Sequence, residues 1–221
     1  MKRVIVVVEG ATEERFVSDL LAPELFAKAN VLITARILGV PGHKGGRVNH
    51  ARLQKDLLIL LNSDPTAFCT TLLDYYGLEK GFPGDTGSPG VQRATNIEAG
   101  MKTDIIAKTD SLRADLRVIP YLQLHEYEAL LFSDPQTLAE SLRVPSLAKT
   151  FAAIRNQVPT PEDINDHHDT APSKRILAHH GSYNKVLDGT TAALAVTVAK
   201  MRMECPRFHR WLTTLESLPD L

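Results

Sequence analysis

Cysteine is scarce in this 221-residue chain: Cys69 and Cys205 stand far apart and without the paired spacing of a zinc site. That excludes a disulfide framework and fits a reducing compartment. Long hydrophobic runs are missing as well, since none approaches the roughly 20 residues that a bilayer-crossing helix needs. No membrane partner is expected. Met1-Lys2-Arg3 precedes only five apolar residues, too few for a signal peptide, so the expected location is the cytoplasm. Excess charge of either sign is also lacking: the formal net charge is -1, which excludes a generally basic coat and leaves nucleic-acid binding to local patches or metal ions. Gly42-His43-Lys44-Gly45-Gly46 lacks the Walker A spacing, which disfavours ATP hydrolysis by the chain itself. Repeats and low-complexity tracts are absent.

What is present suits a globular protein with a real core, at 43% hydrophobic and 23% charged residues. Val4 to Val8 is a run of β-branched residues that predicts a strand buried on both faces, and Glu9-Gly10-Ala11-Thr12-Glu13-Glu14 ends it abruptly. Gly10 permits a tight turn, Thr12 can cap the next helix, and Glu13 and Glu14 suit that helix's positive end. Acids in a first helical turn are common as caps, but capping does not explain Glu9.

A helix is predicted from Thr12 to about Asn30 with Pro23 as a kink, then a strand from Val31 to Leu38, then a helix ending near Asn62. Ala67 to Asp74 reads as another buried strand stopped by an acid. The Gly- and Pro-rich segment from Gly77 to Arg93 reads as a long loop of the kind that is functional or mobile. A helix over Asn96–Thr109, a strand over Val118–Leu124 and a helix starting at His125 follow the βαβα pattern of the elements up to Asn62, and everything beyond Pro135 reads as helical. The expected fold is α/β, a mostly parallel sheet of about four strands flanked by helices: residues 1–135 form the core and 136–221 a helical extension packed on it.

Ligands of such sheets bind at the carboxyl ends of the strands. Glu9, Glu13, Asp74, Glu126 and Glu128 therefore belong at one edge, and carboxylates of this kind suit Mg²⁺ or Mn²⁺. For Glu126 and Glu128 a capped helix start is the competing explanation; two residues apart, they share a face on a strand and diverge by roughly 200° on a helix. Arg36, His43, Lys44, Arg47, His50, Arg52 and Lys55 concentrate positive charge, with Lys44, Arg47 and Arg52 the chosen phosphate contacts and a solvated face the alternative. Asp166-His167-His168-Asp169 and His179-His180 lack the third-ligand spacing of zinc.

Three segments together, Val8-Glu9-Gly10-Ala11-Thr12-Glu13-Glu14, Leu73-Asp74-Tyr75-Tyr76-Gly77-Leu78 and His125-Glu126-Tyr127-Glu128-Ala129-Leu130-Leu131-Phe132, resemble the Toprim domain of topoisomerases, primases and overcoming-lysogenization-defect (OLD) nucleases. The likeness is nearest to an uncharacterised bacterial Toprim-like family catalogued as a domain of unknown function. Tyr76 departs from the Toprim pattern, occupying the place of the second acid of an Asp-x-Asp.

The resemblance implies a Toprim-like, Rossmann-like sheet and a metal-dependent phosphodiester hydrolase acting on nucleic acid, DNA in preference to RNA. Glu9 would be a ligand or acid/base group, Asp74 a ligand, and Glu126 or Glu128 a further ligand. Glu13 matches a second acid of the OLD branch, and Lys174 in Pro172-Ser173-Lys174-Arg175 the lysine that such nucleases carry beyond the acidic motifs. Relatives encoded beside an ATPase imply such a partner, in genome or phage defence. Tyr75 and Tyr76 read as packing or base-stacking groups, because a covalent topoisomerase tyrosine needs a strand-passage apparatus that 221 residues do not provide. The alternative function is a non-catalytic module that binds nucleic acid, a nucleotide or a partner.

Overall fold

The computed structural model describes residues 1–39, 48–87, 90–165 and 170–221. These divide into two compact units, one formed by Met1–Leu122 with Thr214–Leu221 and the other by Gln123–Thr213. The expected division at Pro135 lies inside the second unit.

The first unit is α/β. Strand β1 (Lys2–Val8) pairs in parallel with β2 (Val31–Ile37) on one side and with β3 (Ala67–Asp74) on the other, and β3 continues to the short β4 (Val118–Ile119), giving the order β2-β1-β3-β4. Val4, Val6, Val7 and Val8 are buried, and seven of the eight β3 residues are buried, as expected for strands covered on both faces. The predicted strand Val118–Leu124 is split into β4 and β5 (Leu122–Gln123), of which β5 also pairs with β3. Pro120 brings no N–H to the ladder. Between the two pieces the Thr71 hydroxyl substitutes for the missing ladder, accepting from Tyr121 N–H at 2.9 Å and donating to Tyr121 C=O at 2.7 Å.

After β1 the chain is helical from α1 (Ala11–Arg15) through a π-helical stretch, Phe16–Leu21, into α2 (Ala22–Ala29). Pro23 accounts for that stretch: it cannot donate to the preceding turn, and Ala22 N–H bonds one residue farther back than usual, to Val17 C=O. Asn30, left-handed at φ 53°, ends α2. Helices α3 (His50–Ser63), α4 (Gly90–Ile106) and α5 (Ala114–Arg117) complete this part, and α4 starts six residues before the predicted Asn96. Part of the Gly- and Pro-rich loop is seated on α4. A Cβ at Gly100 would meet the Pro83 carbonyl, one at Gly84 would meet the Asn96 carbonyl, and Phe82 is buried with its ring 5.5 Å from that of His50.

The second unit is helical: a 3₁₀ segment, Tyr127–Ser133, then α6 (Pro135–Ser141), α7 (Ala148–Arg155), α8 (Pro172–His179), α9 (Leu187–Val196), α10 (Val198–Glu204) and most of α11 (Pro206–Glu216). Tyr127, Leu130, Leu131 and Phe132 are fully buried, and Phe132 meets Phe151 edge to face at 5.7 Å. The buried Glu162 carboxylate accepts from Arg207 N–H at 2.9 Å and Phe208 N–H at 3.0 Å, capping α11. Among the described residues no helix is long and apolar enough to cross a membrane.

Candidate functional site

The parallel register fixes the acids of the first unit. Val8 pairs with Leu72, so Glu9 and Asp74 leave adjacent strands at the same carboxyl edge. Beyond β3 the chain turns through the 3₁₀ segment Tyr75–Gly77, and this turn brings the backbone of Gly77 against the Glu9 carboxylate. A Cβ at Gly77 would lie 3.1 Å from Glu9 Cδ and closer still to Oε2, so only glycine leaves room. Gly77→Ala is therefore expected to displace the Glu9 carboxylate. The site chemistry should suffer at a cost of only about 1 kcal/mol in stability, read by comparing Mn²⁺ affinity with the urea midpoint.

Glu13 is buried, and its Oε2 accepts from Gly10 N–H at 3.0 Å. The bond closes the turn that carries Glu9, in the manner of a capping carboxylate at a helix start. Glu13 thus holds the backbone on which Glu9 stands.

Glu126 and Glu128 belong to the second unit, where the predicted helix start at His125 takes another form. His125 is left-handed at φ 63°, Glu126 is extended at φ −145°, and the 3₁₀ turn starts only at Tyr127. This backbone turns both acids toward one cation, and Lys185 Nζ lies 3.6 Å from Glu126 Oε1 and 3.2 Å from Glu128 Oε1. Glu126 Oε2 also accepts from Ser173 N–H at 2.9 Å, at the start of α8. Gly189 makes room for Tyr183 beside this group: a Cβ at Gly189 would be 2.9 Å from the Tyr183 hydroxyl. Lys185 was not foreseen, because 57 residues separate it from Glu128 and no spacing signals the contact. Lys174 is exposed on α8.

Glu128 is 1% exposed, and burial raises its carboxyl to about 7; Lys185 opposes the shift and Glu126 adds to it. Because the folded value lies above the unfolded one, the stability this group contributes is complete below about pH 4.5 and is lost as pH rises through about 7. Glu128→Gln, a mimic of the protonated form, should match the parent near pH 4.5 and exceed it by up to about 3 kcal/mol at pH 8. Urea midpoints at both pH values measure this, and parallel curves would refute the assignment.

The basic residues fare differently. Lys44 and Arg47 lie outside the described residues, as does the Asp166–Asp169 segment. Arg52 donates from Nη2 to Leu38 C=O at 2.8 Å, tying α3 to the chain just beyond β2. Among the described residues no group of three or more His, Cys, Asp or Glu side chains is arranged to hold a metal ion.

A protein-family model, described as "Domain of unknown function (DUF4276)", matches residues 8–216. No curated protein and no solved structure matches the chain.

Proposed function

The chain belongs to this DUF4276 family, and we propose that it is a Toprim-like, metal-dependent phosphodiester hydrolase acting on nucleic acid. The observation that carries the reading is the placement of the Glu9 carboxylate on Gly77, at the edge where Asp74 ends the neighbouring strand. The acids that follow β1 and end β3 offer carboxylate oxygens at that edge, a donor set that fits Mg²⁺ or Mn²⁺. Such ions take one or two protein carboxylates and fill their remaining positions with water and phosphate oxygens, so a cluster of three acids is not required.

Glu9 and Asp74 would hold the ion. When bound, it supplies positive charge that polarises the phosphoryl group and stabilises the departing oxygen. Gly77 leaves room for the Glu9 carboxylate, and the Glu13–Gly10 bond fixes the backbone turn beside it, which limits reorganisation on substrate binding. Within the second unit Lys185 already neutralises charge on Glu126 and Glu128, which speaks against metal binding by that pair. Lys174, exposed, is free to meet a nucleic-acid backbone.

Tyr76 and the lack of a three-donor group among the described residues favour a second reading, a non-catalytic module that binds nucleic acid or a partner such as an ATPase. One experiment separates the two. The purified chain is incubated with single-stranded and duplex DNA in millimolar Mn²⁺ or Mg²⁺, with and without chelator, and Mn²⁺ binding is followed by calorimetry. Chelator-sensitive cutting supports the hydrolase, and absence of both cutting and metal binding supports the module.

A further inference from the structure

We propose that the cleft beside Tyr75 and Tyr76 is a binding subsite for one unpaired nucleotide of a DNA single strand, its base stacked on Tyr76 and its phosphate met by Lys80. The proposal rests on the phosphodiesterase reading of the Glu9–Asp74 edge and names the substrate class of that site. The cleft measures about 380 Å³, within the 300–1,000 Å³ range usual for small-ligand pockets, and opens directly after Asp74. Tyr75, Tyr76, Lys80, Asp85, Arg93 and the buried Ile97 line it together with Leu78 and the exposed Glu79, so the phosphate contact falls to the one lining cation that is not already paired with an acid of the cleft.

Its walls are unusually fixed for a loop region. Arg93 grips Asp85 with two bonds, Nε to Oδ1 at 2.6 Å and Nη2 to Oδ2 at 2.7 Å. A third bond from Nη1 reaches the Tyr75 hydroxyl at 3.0 Å, and the guanidinium lies 5.3 Å from the Tyr75 ring centre. Tyr75 is thus clamped, and Tyr76 leans on it with ring centres 5.9 Å apart and planes inclined by 59°. That tilt prevents the two rings from stacking on each other, and Tyr76 remains 38% exposed, a large aromatic surface presented at the cleft. Lys80 is exposed and forms no ion pair among the described residues.

An exposed aromatic ring backed by a clamped one, beside an exposed cation, is the arrangement by which proteins hold single strands without reading sequence. The base must be unpaired. In a duplex both faces of each base are covered by neighbours, and Tyr76 would find none to stack on.

The test uses the full chain in chelator, so that no cutting occurs, with fluorescence anisotropy of a labelled mixed-sequence single-stranded DNA, the same strand made fully abasic, and a duplex. The parent is expected to bind the intact strand about 10-fold more tightly than the abasic strand. Tyr76→Ala should lose about 10-fold on the intact strand and nothing on the abasic one, and Tyr76→Phe should retain parent affinity. Lys80→Ala should weaken both strands about 3-fold. Equal affinity of the parent for intact and abasic strands, or an unchanged Tyr76→Ala, overturns the subsite even if the protein cuts DNA in Mn²⁺. A strand that binds with the stated signature but is never cut in Mn²⁺ leaves the subsite standing and overturns the hydrolase instead.

Discussion

Glu9→Gln and Asp74→Asn are each expected to lower Mn²⁺-dependent DNA cleavage by on the order of 10³-fold or more while shifting the thermal midpoint by less than about 3 °C. Both changes keep side-chain size and remove a negative charge at the carboxyl edge of β1 and β3. The loss should reach metal affinity as well as rate, because a neutral amide is a poor ligand for a hard cation that retains its waters. Glu13→Gln gives the contrast. Its carboxylate closes the Gly10 turn at 3.0 Å, and a glutamine oxygen can accept the same bond, so a far smaller loss is expected. Cleavage that survives in both Glu9→Gln and Asp74→Asn removes the site from this edge.

Arg117→Met should be the most destabilising single change, by about 3–5 kcal/mol, read as a urea midpoint at constant slope. Arg117 is fully buried, yet among the described residues no carboxylate accepts from its guanidinium. It donates to four backbone carbonyls, of Leu61, Asp64, Ala67 and Leu112, and to the Ser111 hydroxyl. Those carbonyls belong to the end of α3, the turn into β3, the first residue of β3 and the chain before α5; Leu61 C=O also accepts from the Ser111 hydroxyl at 3.0 Å and Asp64 C=O from Ala67 N–H at 3.3 Å. Methionine fills the volume but takes a charged donor from all four carbonyls and from the Ser111 hydroxyl at once, and bonds of this kind lost in a dry interior are costly. Arg117→Lys should recover only a fraction, since an ammonium cannot reach five acceptors in a plane. A loss below 1 kcal/mol would mean that water enters to serve the carbonyls.

The parts of the fold written in local pattern were legible from sequence. Five β-branched residues from Val4 and the run ending at Asp74 gave β1 and β3, and the acids that stop both runs lie at one edge because parallel neighbours must align their carboxyl ends. Gly77 was visible as part of a motif, but its closeness to Glu9 is a product of the 3₁₀ turn after β3. Elsewhere tertiary contacts outweighed local preference. The segment at His125 has helical composition, yet it forms a left-handed residue followed by a 3₁₀ turn, and this backbone pairs Glu126 and Glu128 with a lysine that no spacing rule finds. Arg93 sat at the end of an apparent loop in the sequence; its two bonds to Asp85 and its hold on Tyr75 make it part of a built wall.

The division of the chain also has a consequence for the order in which it is made. The first unit is interrupted at Leu122 and resumes only at Thr214, whose segment brings it the buried Leu215 and Leu218 and the ion pair between Glu216 and Lys28 at 3.0 Å. At synthesis rates of about 5–20 residues per second, the ribosome needs roughly 5 to 20 s to cross the inserted unit before that segment exists. During this interval the apolar surface that Leu215 and Leu218 will cover stays open in the nascent chain, while the inserted helical unit is the part whose sequence is completed first.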